Sequence, residues 1–464
     1  MPWHDPPKGA SGRLTLQYLS SYSTAHSISS STTRLSSLLR VPAAVWSNDG
    51  CGDGQLVHEY GAYNIKLSRV HEGSGFRVQR FLQKVADGEK VKVAVIGGSV
   101  SNGHGTDENG NKWQYGAIKQ TWHTFVSSWI NGTFGEQEFL NGAMGATDAS
   151  FFRFCWSERI HLSERAPDLV FIELDVNNAN TNEARDYTEE MLRSILQLPT
   201  KPAVIFVGSM GINSGWGPLT NGGDAHAALS AWYDIPQISI RNTLLPAAFR
   251  NTSLALPYFN NDEAHIAAPV HRYLGDMVVA YLQQQKCAMA RDRLDRLHAP
   301  ANWLWPDASS LGEVPLRAMT DGWESQNVHH ASAAPTCALA GFSLAPVAQD
   351  GTWQPWSWLA TKHYLVNSEA GKRIEFDVEV PKDGEGIIGV GYLRSKGYKL
   401  GKLVCDVEGQ QAVLDGHWDR GVSLTEITPV ARGLAAGTYR LVCTTAVGQE
   451  ENFTAFRIAS VVAA

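Results

Sequence analysis

No stretch of the 464 residues approaches the roughly 18 consecutive apolar residues of a membrane-spanning helix, so no transmembrane segment is expected. Basic charge is also short. Against 46 Asp and Glu stand 39 Lys and Arg, a formal net charge of −7, which argues against a nucleic-acid binder tracking phosphates. Cysteine is sparse: Cys51, Cys155, Cys287, Cys337, Cys405 and Cys443 are scattered with no C-x-x-C pair, so neither a zinc ribbon nor a thioredoxin-like motif is expected. Disulfides stay open, but they are not the scaffold. What is present is apolar material, 43% of the chain against 18% charged, enough to bury a core and to exclude wholesale disorder. The length points to two or three domains.

Residues 1–45 read as a Ser/Thr-rich disordered or targeting segment, with Lys8, Arg13, Arg34 and Arg40 against the single acid Asp5. No apolar core of a secretory signal follows a basic start. Sequons at Asn131, Asn251 and Asn452 are about as many as chance supplies. Secretory or extracellular and organelle destinations both stay open.

Over 46–290, short β-branched runs alternate with helix-length stretches. Strands are expected at Val91–Ile96, Glu138–Leu140, Asp168–Leu174 and Ala203–Val207, and helices at Ala117–Ile130, Asp148–Leu162, Arg185–Leu196, Ala225–Tyr233 and Pro269–Gln285. Asp148 or Thr147 can cap the second of these helices. Such alternation predicts a parallel sheet with helices on both faces, whose ligands bind at the carboxyl ends of the strands. Residues 291–340 read as a linker. From 341 to 464, strand-like pieces separated by glycine turns predict an all-β sandwich. Cys405 and Cys443 fall in two of those strands, either as neighbours or as two buried thiols.

The segment Val95-Ile96-Gly97-Gly98-Ser99-Val100-Ser101-Asn102-Gly103-His104-Gly105 follows the first expected strand. As a P-loop it has His104 where the phosphate-grasping lysine belongs, and as a dinucleotide turn it lacks the third glycine. A nucleophilic serine, Ser99, with small neighbours is the third reading, and a plain glycine turn the fourth. A serine needs a base, and the base needs an orienting group. Asp262 and His265, three apart before the last helix, can meet so that the carboxylate accepts a hydrogen bond from the imidazole Nδ1–H and fixes the tautomer; they also read as a helix cap and a surface histidine.

Taken together these segments resemble the four blocks of the SGNH hydrolases, also called GDSL esterases. Gly97-Gly98-Ser99-Val100 with Gly103 resembles the first block, Gly98 replacing its Asp. Asn141-Gly142-Ala143-Met144-Gly145 resembles the second, and Asp175-Val176-Asn177-Asn178 the third, where Asn177 is kept and the flanking Gly and Asp are not. Asp262-Glu263-Ala264-His265 resembles the fourth, with Ile266 in place of the usual proline. The resemblance implies a flavodoxin-like three-layer α/β/α domain with a C-terminal β-sandwich. It also implies Ser99 as nucleophile, His265 as base and Asp262 as its orienting partner. The oxyanion would be met by the amides of Ser99 and Gly145 and the side chain of Asn177.

The implied activity is hydrolysis of small acyl esters, acetyl-like and perhaps on carbohydrate, through an acyl-enzyme and without a cofactor. Acyl transfer by the same three groups and a silent glycan-binding protein are the alternatives. Among the fifteen tryptophans, Trp113 and Trp216 are candidates for the substrate wall and His104 for the pocket lining, while Trp353, Trp356 and Trp358 are assigned to core packing on one strand face. His329, His330 and Cys337 lack further ligands at metal spacing, so no metal is expected.

Overall fold

The computed structural model describes residues 54–106, 120–162, 164–212, 220–260, 263–292, 313–315, 317, 335–351, 353–358, 362–382 and 384–464. The expected N-terminal segment therefore lies outside the described residues, as do Trp113, Trp216, Asp262, His329, His330 and most of the expected linker.

The first half opens with helices α1 (Gly54–Tyr60) and α2 (Ala62–Leu67), strand β1 (Arg69–His71) and helix α3 (Phe76–Ala86). Alternating units follow: β2 (Lys92–Gly97), α4 (Trp122–Phe134), β3 (Glu138–Asn141), α5 (Ala149–Arg159), β4 (Leu169–Glu173), α6 (Asn182–Leu196), β5 (Ala203–Gly208), α7 (Gly222–Tyr233) and β6 (Gln237–Ser239). Helices α8 (Arg241–Arg250), α9 (Thr252–Ala255) and α10 (Ala268–Asp292) close the half. The sheet order is β1-β6-β5-β4-β2-β3, and β2 to β6 run parallel, while β1 pairs antiparallel with β6. Without that short edge strand the order is the flavodoxin-like one, whose topological switch point falls between β2 and β4.

Period-2 alternation explains the layers. On β2, Val93 and Val95 face a cluster with Phe81 of α3, Val126 of α4 and Leu274 of α10, while Ala94 and Ile96 face Phe152 of α5, Leu192 of α6 and Leu229 of α7. Asp148 caps α5 as expected, accepting from the Ser150 amide at 2.9 Å.

The second half is two antiparallel sheets. Its strands are β7 (Thr336–Leu339), β8 (Ala348–Gln349), β9 (Gln354–Trp358), β10 (Lys362–Asn367), β11 (Arg373–Val380), β12 (Ile388–Arg394), β13 (Lys402–Val407), β14 (Gln410–Asp415), β15 (Leu424–Ala431), β16 (Gly437–Ala446) and β17 (Phe456–Ala463). One sheet has the order β15-β12-β17-β10-β9 with β7 against β17; the other is β14-β13-β16-β11-β8. Leu365, Val390 and Ile458 of the first share one core with Phe376, Leu403 and Leu441 of the second, which makes the sandwich. Trp353 precedes β9 and enters that core, whereas Trp356 packs with Tyr364 in a separate cluster, so the three tryptophans do not share one face. The cause is spacing: 353 to 356 is an odd step, which turns a side chain over on a strand.

Cys405 and Cys443 sit opposite each other on β13 and β16 and are disulfide-bonded. Cys155 on α5 is bonded to Cys337 on β7, a separation of 182 residues. The second cluster of the α/β sheet also takes in Leu339 and Val462 of the sandwich, so the two halves share apolar core as well as a covalent bond.

Candidate active site

Ser99 leaves the carboxyl end of β2 and His265 lies just before α10; the Ser99 Oγ and His265 Nε2 are 2.6 Å apart. Residues 166 apart in sequence are thus within hydrogen-bonding reach at the switch point of the sheet. The serine turn is a tight coil closed by Asn102 N to Gly98 O (3.1 Å), Gly103 N to Val100 O (3.0 Å) and His104 N to Ser99 O (2.9 Å). Gly105 has φ +94°, and a β-carbon there would run into the Ile266 carbonyl, so this glycine lets the serine turn and the histidine loop touch. The His104 ring, 7% exposed, packs against the His265 ring with centroids 4.0 Å apart, which puts it in the site rather than in solvent.

Asn177 follows β4, and its side-chain amide lies over Gly98; a β-carbon at 98 would fall on it. The Asn177 Oδ1 is buried without a hydrogen-bond partner among the described residues. Gly145 is buried on the loop after β3, held one residue earlier by Met144 N to Gly97 O at 2.9 Å. Ala146 takes φ 51° as the loop turns toward α5. Asp262 lies outside the described residues, while its neighbours hold the histidine loop through Asn260 N to His265 O (2.7 Å) and Ile212 N to Glu263 O (2.8 Å).

The two other departures in the third block prove to be partners of one histidine. His226 of α7 is fully buried, with Nδ1 donating to Asp175 Oδ1 at 3.0 Å and Nε2 accepting from Asn178 Nδ2 at 2.8 Å. Asn178 Nδ2 also donates to Thr188 Oγ1 at 3.1 Å, and its Oδ1 accepts from Ala149 N at 2.9 Å, tying the Asn177 loop to α5, α6 and α7. A buried imidazole held at both ring nitrogens therefore braces this loop from beneath.

Sequence reasoning missed the carboxyl beneath the Ser99 turn. Glu173, fully buried at the end of β4, accepts at Oε2 from Ser101 N (3.2 Å) and Ser101 Oγ (2.9 Å) and at Oε1 from Ser209 Oγ (2.7 Å). Burial first of all, with Asp175 adding to it, pushes this carboxyl up to about 8. The Trp122 Nε1 donates to Ser101 Oγ at 3.0 Å, and Asn141 Nδ2 donates to Ser101 O at 2.9 Å. Ser101 is fully buried and committed to this web. The only sequence trace of Glu173 is an acid closing an apolar strand.

Among the described residues no group of three or more His, Cys, Asp or Glu is placed to hold a metal ion, and no helix is long and apolar enough to cross a membrane.

Sheet order and appended sandwich together make this a flavodoxin-like α/β fold carrying a C-terminal β-sandwich, with Ser99 at the switch point of the sheet. The same two-part fold is found in a two-domain esterase (CEX) active on acetylated mannans, 19% identical, with TM-score 0.64 over 86% of this chain and 98% of that chain. The structure of a two-domain esterase (CEX) active on acetylated mannans co-crystallised with mannopentaose is similar at 19% identity and TM-score 0.63, with the same coverage of 86% and 98%. No family model and no curated protein matches the chain.

Proposed function

We propose that the chain is a serine esterase that removes small acyl groups, acetyl foremost, from carbohydrate through a covalent acyl-enzyme. The observation that carries this reading is the 2.6 Å approach of Ser99 Oγ to His265 Nε2 beside Asn177. The two-domain relative acting on acetylated mannans supports the carbohydrate part.

His265 Nε2 takes the Ser99 proton as Oγ attacks the ester carbonyl, and the imidazolium then returns that proton to the departing sugar hydroxyl. Asp262 accepts from His265 Nδ1, fixing the tautomer and stabilising the imidazolium. The negative charge that develops on the carbonyl oxygen is met by the amides of Ser99 and Gly145 and by Asn177 Nδ2, donors fixed before the reaction starts. Water, activated by the same imidazole, releases acetate and restores the serine. His104, packed on the His265 ring, helps hold the base at its angle. Trp113 and Trp216 are assigned to the walls that receive the sugar.

The test is intact-mass labelling with a fluorophosphonate, combined with acetate release from acetylated mannan. The parent chain takes one adduct and releases acetate, and Ser99→Ala does neither. Labelling that persists in Ser99→Ala would move the nucleophile elsewhere.

A further inference from the structure

Ser101, two residues after the proposed nucleophile, has every polar atom engaged. Its amide and its hydroxyl both donate to Glu173 Oε2, at 3.2 and 2.9 Å, and the hydroxyl also accepts from Trp122 Nε1 at 3.0 Å. Its carbonyl oxygen lies 2.9 Å from both Asn141 Nδ2 and His123 Nε2. The side chain sits directly over Gly97, where a β-carbon would fall 2.6 Å from the Ser101 Oγ. The turn that carries Ser99 is thus seated on one oxygen of the Glu173 carboxyl.

The other oxygen reaches a different loop. Glu173 Oε1 shares a 2.7 Å hydrogen bond with the hydroxyl of Ser209, the residue after β5. Ser209 opens a segment that packs on the loop of the base: Ile212 N donates to Glu263 O at 2.8 Å, and a β-carbon on Gly211 would fall 2.6 Å from the Ala264 carbonyl oxygen. Glu263 and Ala264 lead directly into His265. One carboxyl at the end of β4 therefore joins the two loops whose side chains meet at the site.

Stability alone does not call for this arrangement. Apolar side chains in place of Glu173, Ser101 and Ser209 would fill the same space, and exchanging all side-chain partners of a buried hydrogen bond for apolar groups of the same shape is nearly neutral. What the carboxyl adds is direction. Its hydrogen bonds fix one loop against the other, and a misplacement of about 1 Å between reacting groups costs a factor of about 10².

We propose that Glu173 is a positioning residue, a two-sided strut that sets the approach of Ser99 Oγ to His265 Nε2 by holding the nucleophile turn through Ser101 and the histidine loop through Ser209. It touches no substrate and takes no part in proton transfer. The role deepens the esterase reading and rests on it.

Three variants of the whole chain test it. Glu173→Leu removes every hydrogen bond of the strut, Glu173→Gln keeps its shape with a hydrogen-bonding atom at each end, and Ser209→Ala cuts only the link to the histidine loop. Fluorophosphonate labelling is scored separately as adducts per chain at completion and as rate per labelled site. Glu173→Leu should reach the parent's stoichiometry about 10²-fold more slowly, Ser209→Ala about tenfold more slowly, and Glu173→Gln within about threefold of the parent rate. On p-nitrophenyl acetate the loss should fall on kcat, with KM little changed. A stoichiometry that drops while the rate per site stays parental means that Glu173 serves folding alone and overturns the proposal. A parental rate in Ser209→Ala, or a Glu173→Gln as slow as Glu173→Leu, overturns it as well; should Glu173→Leu fail to fold, Ser209→Ala still decides.

Crystal structures of the parent and the variants give a readout that needs no activity. Ser99 Oγ and His265 Nε2 should part beyond hydrogen-bonding reach in Glu173→Leu and stay within it in Glu173→Gln. A parent that takes no adduct, with a separation that still opens in Glu173→Leu, refutes the esterase reading and leaves the strut standing. Parental rate and separation in Glu173→Leu refute the strut alone.

Discussion

The Asn177 side-chain amide fills the space that a β-carbon at Gly98 would take. With glycine at 98 the amide lies directly over the nucleophile turn; with any side chain there it must move. On the proposed mechanism Asn177→Ala removes one oxyanion donor and should lower kcat by about 10²–10³ with KM little changed. Gly98→Ala leaves the amide in the sequence but displaces it, so it should cost a comparable factor in kcat. Steady-state kinetics on p-nitrophenyl acetate compare the two, and full activity in Gly98→Ala would show that the amide has no part in the reaction. The paired departures at 175 and 178 follow the same logic. Singly they look like lost motif positions, yet His226, nearly fifty residues on in the chain, makes them a matched set.

At the scale of elements, β4 ends in a carboxyl that the turn after β2 depends on. Folding holds Glu173 above its ordinary value of 4.5, at about 8, so the folded state favours the protonated form. The resulting stabilisation is full below the unfolded value and is lost as pH rises through about 8. Glu173→Gln keeps the shape and removes the titration. Subtracting the variant's Tm from the parent's should therefore give a difference that falls steadily from pH 5 to pH 9, and a difference independent of pH would show that Glu173 is ionised throughout. The element pattern itself was largely legible: Lys92–Gly97, Leu169–Glu173 and Ala203–Gly208 fall where the short β-branched runs put them, and Asp148 caps the helix assigned to it. The strands β1 and β6, three residues each, carry too little pattern to stand out from loop. Strand β10 was not singled out either, because Tyr364 and Val366 on the face away from the sandwich core are aromatic and apolar rather than polar.

For the whole molecule, the bond between Cys155 and Cys337 matters most. It closes a separation of 182 residues, which on loop-closure entropy is worth about 5 kcal/mol, and it pins α5 to the sandwich beside shared apolar core. Replacing both cysteines by alanine should lower the Tm by several degrees. The matching replacement of Cys405 and Cys443 closes a shorter separation of 38 and should cost somewhat less. Scanning calorimetry under non-reducing conditions checks both, and an unchanged transition for the first pair would mean that apolar contact alone holds the halves together.

Local order was written in the sequence: alternation of apolar runs, the glycine turn after the first strand, the Asn177 block and the histidine before the last helix all depend on neighbours in the chain. Tertiary structure alone decided which cysteines pair, which carboxyl lies beneath the Ser99 turn and which histidine joins Asp175 to Asn178. Each of these joins residues tens to hundreds of positions apart, and no local spacing encodes such a meeting. It arises only when sheet order, helix packing and the sandwich are assembled together.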